Sequence, residues 1–170
     1  MPQLNGMEAA RRIRALDDQV ILDTLGLAGN LETAGLMEQI AGHHTPQALE
    51  TLGRLYANGK DIAAVLGELT GLARDLLLRK TAPQGGTALL TGGYDEGTMR
   101  QLGEMFTVSR LLQILSKLQD TAVLLPRSSN RRTDMELCLI CLCEEQLDDS
   151  RAGLLARIAR LEERLASGVP

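Results

Sequence analysis

The stretch that follows Asp61 constrains the fold of this chain more than any other. Ile62, Val65, Leu66, Leu69, Leu72, Ala73, Leu76 and Leu77 are spaced by threes and fours. Only a helix gathers such steps on one face; a strand would scatter them over both. Asp61 stands where a carboxylate can accept from the first free amides, and Asn58-Gly59 just before it reads as the stop of an earlier helix. The helix is expected to run to about Lys80, before Pro83 and the Gly85-Gly86 loop.

The same grammar recurs along the chain. Asn30 is expected to cap a helix carrying Leu31, Ala34, Met37 and Ile40 and ending near Gly42. Thr45-Pro46 is a start signal, with Thr45 as the cap, for a helix with Leu49, Leu52, Leu55 and Tyr56 on its apolar face. Asp95 is expected to cap a short helix reaching Met105. Thr107 caps another, with Val108, Leu111, Leu112, Leu115, Leu118, Ala122 and Leu125 on one face. Residues 126–130 read as a loop. The helix from Thr133 to Glu144 is apolar nearly all round between Leu137 and Cys143, which marks a central position. Beyond Asp149 the pattern changes: Leu147, Leu154, Ile158, Leu161 and Leu165 form a short heptad-like seam edged by Arg157, Arg160, Glu162, Glu163 and Arg164. With only two to three repeats, it reads as an exposed C-terminal helix leading into a linker. A short helix from Glu8 to Leu16 and a short apolar segment from Asp18 to Leu25, stopped by Gly26 and Gly29, precede all of this.

The only aromatic residues are Tyr56, Tyr94 and Phe106, so core volume must come from Leu, Ile, Val, Met and Ala. No run alternates apolar with polar among β-branched residues, which removes the strand signal. The expectation is an all-α bundle of about six to eight helices, its core between Leu31 and Cys143. Residues 1–19 would be a helical lead-in, 20–146 the domain proper, and 147–170 the C-terminal helix.

A net charge of −4 argues against an independent grip on nucleic acid, whose phosphates are held mainly by Lys and Arg. Arg127, Arg131 and Arg132 are read as a solvated loop. Residues 1–16 alternate charged and apolar positions, unlike a secretory leader, and no apolar run approaches the ~20 residues needed to span a bilayer. A cytoplasmic protein with reduced thiols is expected.

Residues that could carry chemistry are few. Cys138, Cys141 and Cys143 include a C-x-x-C spacing, but Leu139 and Ile140 stand where a zinc knuckle needs turn residues. They are read as small hydrophobes in the core. His43 and His44 sit about a hundred residues upstream at a helix end and are read as solvated. "QGGTALLTGGY" (84–94) lacks the lysine and spacing of a phosphate-binding loop. Glu144-Glu145 and Asp148-Asp149 are read as solvated polar ends. No catalytic, cofactor or metal residue is assigned.

Two resemblances bear on function. "MPQLNGMEAARRIR" (1–14) resembles the stretch after the phosphorylated aspartate of response-regulator receiver domains. A receiver also needs that aspartate, an acidic pair and alternating strands, so the alternative it suggests, a truncated receiver feeding a helical dimerisation or output domain, takes second place. The rest resembles the third domain of the bacterial DNA polymerase III gamma/tau subunit. The resemblance is carried by "ILDTLGLAGNLETAGLMEQIAGH" (21–43), "ALETLGRLYANGKDIAAVLGELTGLARDLLLRK" (48–80) and "LQILSKLQDTAVLLPRSSNRRTDMELCLICLCE" (112–144). In the last, Arg132, Glu136, Leu139, Ile140, Leu142 and Cys143 match an R-x-x-x-E-x-x-L-I-x-L-C pattern. The resemblance implies a helical collar piece of the replicative clamp loader. Its implied partners are other gamma/tau copies and the delta and delta-prime subunits, with no direct contact to nucleic acid. It implies no enzyme activity for this chain, since the family's ATPase motifs are not matched by any residue here.

Overall fold

The computed structural model describes residues 27–83, 90 and 93–168, with the side chains of 27–29 left aside. The expected segments at Glu8 to Leu16 and Asp18 to Leu25 lie outside the described residues. The rest is helix after helix: α1 (Leu27–Ala41), α2 (Thr45–Ala57), α3 (Ile62–Thr81), α4 (Glu96–Met105), α5 (Val108–Leu124), α6 (Arg131–Cys143) and α7 (Arg151–Ala166), with single 3-10 turns at Leu125–Arg127 and Glu145–Leu147. No strand occurs among the described residues, so the all-α bundle holds.

The helices start where short polar side chains can take up the free amides of a first turn. Asp61 accepts from the amides of Ala63 and Ala64 at 2.7 and 3.1 Å. Asp95 accepts from Thr98 at 3.0 Å, Thr107 from Arg110 at 3.2 Å, Asn130 from Thr133 at 3.2 Å and Ser150 from Gly153 at 3.1 Å. Between α2 and α3 the chain turns at Gly59, whose φ of 83° is one that other residues seldom adopt.

Three starts differ from expectation. α1 begins at Leu27, so Asn30 lies in its first turn; its side-chain amide donates to the carbonyl of Gly93 at 2.8 Å instead of capping. Leu31 consequently faces solvent, while Thr33, Ala34, Leu36, Met37 and Ile40 are buried. α2 is preceded by His44, and the Thr45 hydroxyl turns away to donate to Glu144 at 2.7 Å. α6 starts at Arg131 because Asn130 caps it, two residues before the expected start.

α3 and α5 share the most extensive helix–helix contact. α6 crosses α1, α2, α3 and α5, as expected of a helix with so apolar a middle, although Leu137 is on the outside. The core joins Leu52 and Leu55 of α2, Val65, Leu69, Leu72 and Leu76 of α3, and Leu139 and Leu142 of α6. The buried face of α5 is rotated from the expected stripe. Leu111, Ile114 and Leu118 are enclosed, and the helix leads to buried Leu125, whereas Val108, Leu112 and Ala122 are exposed. α5 is wedged between α3, α6 and α7, and it also buries Gln113 and Thr121, polar side chains that an apolar-stripe argument skips.

Candidate functional site

The chemistry-bearing residues come together at one end of the bundle, where α6 ends and the chain turns into α7. His43 adopts a left-handed φ of 57° at the α1–α2 corner, which brings its Nδ1 within 2.6 Å of the Cys143 carbonyl oxygen. A hundred residues of separation in sequence is thus closed by packing. The histidine meets a backbone oxygen, not a thiol: Cys138 and Cys143 are buried in the core and Cys141 is half-buried. Burial pushes the Cys138 thiol up to about 11, partly offset by a hydrogen bond with Thr121 and by the charge of Lys117. Burial likewise raises the Cys143 thiol. Such thiols are poor nucleophiles and poor metal ligands at neutral pH. Among the described residues no three metal-binding side chains gather in a group.

The acidic pairs, expected to be solvated, include the most enclosed charge of this corner. Asp148 is 1% exposed. Its carboxylate accepts from Gln113 Nε2 at 2.6 Å and from the Ser150 amide at 3.2 Å, and it lies 3.8 Å from Lys117 Nζ. Burial opposes its ionisation, but the bonds from Gln113 and Ser150 and the charge of Lys117 outweigh it and hold the carboxyl below its ordinary range. Glu145 pairs with Arg110 at 3.4 Å and accepts from Arg160 at 2.7 Å. Arg110 also donates to Gln113 and to the Leu142 carbonyl at the end of α6. Glu144 accepts from Thr45 of α2 and from Gln146. Three acidic residues in five positions thus bind α2, α5 and α7 to the segment 144–148. Every one is engaged with a donor or cation, so the corner is a clamp that sets the path of the chain into α7.

Sequence reasoning missed this clamp because an Asp-Asp-Ser run looks the same whether it is solvated or tucked under a helix. The available signal was Gly153, three residues into the Ser150-capped helix. A Cβ there would stand 2.6 Å from Asp148 Oδ2 and 2.7 Å from its backbone oxygen.

The outer surface carries several apolar side chains. On α7, Leu154, Leu155, Ile158, Leu161 and Leu165 are all exposed, at 46, 55, 51, 55 and 79%. Val123, Leu124 and Leu137 are exposed elsewhere. Between α3 and the end of α5 lies an apolar depression of about 340 Å³ lined by Ala63, Leu66, Gly67, Thr70, Ala122 and Leu125 among others. Of the arginine cluster, Arg132 stacks on Tyr56 at 5.2 Å and donates to Glu136 at 2.8 Å, and Arg127 and Arg131 are exposed. Arg131 and Arg132 line one polar hollow with Lys60, Ser128, Ser129 and Asn130. No helix among the described residues is long and apolar enough to cross a membrane.

Comparison with known proteins identifies the family of the chain. The sequence model of a family described as DNA polymerase III subunits gamma and tau domain III matches residues 16–155. The DNA polymerase III subunit tau of Bacillus subtilis (strain 168) is 28% identical over 119 residues, 70% of this chain and 21% of that protein. The chain therefore spans about a fifth of the length of that curated relative. The match runs from near the chain's start into α7, which leaves the signalling alternative without support.

Proposed function

We propose, given that this chain belongs to the DNA polymerase III gamma and tau domain III family, that it is the helical, non-catalytic collar domain of a clamp-loader subunit and acts in DNA replication by joining subunits. The family match over residues 16–155 carries the reading. On this reading residues 20–146 are the collar proper, 1–19 a lead-in, and 147–170 a helix that leads onward. The partners are other gamma/tau copies and the delta and delta-prime subunits, in the cytoplasm. The collar would hold ATPase modules at a fixed spacing while nucleotide changes their tilt. Its contacts must then outlast each cycle, which calls for sizeable, partly apolar helix interfaces. Exposed leucines on α7 and the depression beside α3 are surfaces of that kind. DNA is not expected to be a direct partner, since the chain carries a net −4.

The test uses the full-length subunit and a version lacking residues 30–145, each mixed with delta and delta-prime. Size-exclusion chromatography with light scattering should show a ring complex only with the intact subunit. Normal assembly of the deleted form, or tight binding of duplex DNA by the isolated domain at physiological salt, would contradict the collar role.

A further inference from the structure

α7 is built inside out for a helix that serves only its own bundle. Gly153 is its one fully buried residue, with Ala152, Ala156, Arg157 and Ala159 half-buried beside it. Its large apolar side chains, Leu154, Leu155, Ile158, Leu161 and Leu165, all stand in solvent. An amphipathic helix stabilising one domain turns its leucines inward. Here small residues let α7 lie close against α5, and Arg160 and Glu163 line the inner side with His43 and Phe106.

The outward residues have a register. Leu154, Ile158, Leu161 and Leu165 step by four, three and four, which places Leu154 and Leu161 at d positions and Ile158 and Leu165 at a positions of a heptad. Arg157 and Arg164 then fall at g, and Leu155 and Glu162 at e. In a parallel pair of such helices a g residue faces the partner's e residue five positions on. Arg157 would meet the Glu162 of a second copy, and the reverse, giving two ion pairs by symmetry. In an antiparallel pair Arg157 would face Arg164, a like-charge contact. Ile158 at a with Leu154 and Leu161 at d favours two strands, while Leu165 at the other a position has no β-branch.

We propose that the outer face of α7 pairs in parallel with the α7 of a second copy of this chain, as a short two-stranded coiled coil. This builds on the collar reading by naming one partner and one face. The helix is already formed on the bundle, so pairing does not have to meet the cost of nucleating it. A seam of two heptads is small beside the ~1,600 Å² of a standard interface, so a dissociation constant of about micromolar order is expected.

Sedimentation velocity on the 170-residue chain tests this. The unaltered chain should pass from monomer to dimer across about the micromolar range. Ile158→Asp with Leu161→Asp should be monomeric with an unchanged helical spectrum and, compared below the dissociation constant, an unchanged thermal midpoint, since both side chains are exposed. Arg157→Glu and Glu162→Arg should each weaken the dimer about tenfold. An equimolar mixture of those two variants should restore it, because every cross-pair is then opposite in sign. A chain that stays monomeric throughout, an aspartate variant that still dimerises, or a mixture that recovers nothing would each overturn the parallel pairing. None of these results bears on the ring-assembly experiment with the deleted subunit, so the two readings fail separately.

Discussion

Asp148 is the residue where local chemistry matters most to the architecture. It fastens the chain between α6 and α7 to α5 through Gln113 and Lys117 and lies directly under Gly153. Removing one partner of a buried polar cluster leaves the others desolvated without compensation. Asp148→Ala is therefore expected to lower stability by about 3 kcal/mol in urea unfolding. The pH dependence follows from the direction of its shift. The folded carboxyl lies below its ordinary range, so the stability it contributes is present at neutral pH. That stability is lost as pH falls through the ordinary carboxylate range and past the folded value. Asp148→Asn keeps the shape but cannot titrate. The gap in unfolding free energy between the native chain and Asp148→Asn should shrink steadily from about pH 5 downward. A gap independent of pH would mean that Asp148 acts through hydrogen bonding alone.

At the level of helices, caps separate what fixes an element from what links elements. Asp61 accepts from two amides at the start of α3, the helix at the centre of the bundle. Asp61→Ala should cost about 1 kcal/mol. Asn30→Ala removes a tie to Gly93 but no cap, so it should leave the helical spectrum unchanged and raise limited proteolysis next to Gly93. Equal effects of the two substitutions on the global unfolding midpoint would refute the distinction. This contrast also shows how far the sequence could be read. Capping and three-four spacing are local, so α3, α4 and the C-terminal helix lie where the pattern put them. Thr45 and Asn30 look like caps locally, but tertiary partners, Glu144 and Gly93, claim their side chains. The rotation of α5 was hidden for the same reason: Gln113 is buried by a carboxylate 35 positions away, which no window of periodicity can register. The fold class was legible because it depends on local pattern. The clamp at 144–148 was not, because it depends on which helix ends meet.

Across the whole molecule, the uneven burial of α7 separates a stable bundle from its outer layer. Among the described residues, α1 to α6 supply every residue of the buried apolar core apart from Phe106, on the link between α4 and α5, and Leu125, in the turn after α5; α7 supplies none. Apolar burial drives folding, so a chain ending at Asp149 should keep its bundle. It would lose the Arg160–Glu145 pair, which is half exposed on the arginine side and worth little. It would also lose the Ser150 amide and the cover of Gly153 over Asp148, while Gln113 and Lys117 remain in place on α5. The summed effect should be about 1 kcal/mol, or roughly 4 °C in the unfolding midpoint. The transition should remain a single cooperative step when followed by calorimetry and by helical ellipticity together. Self-association, which on the proposed pairing uses only the outer face of α7, should disappear altogether. On one truncated chain the proposed boundary near residue 146 demands near-native stability, and the proposed α7 pairing demands a purely monomeric mass. A chain that unfolds without α7 would make that helix part of the domain proper and move the boundary to its far end.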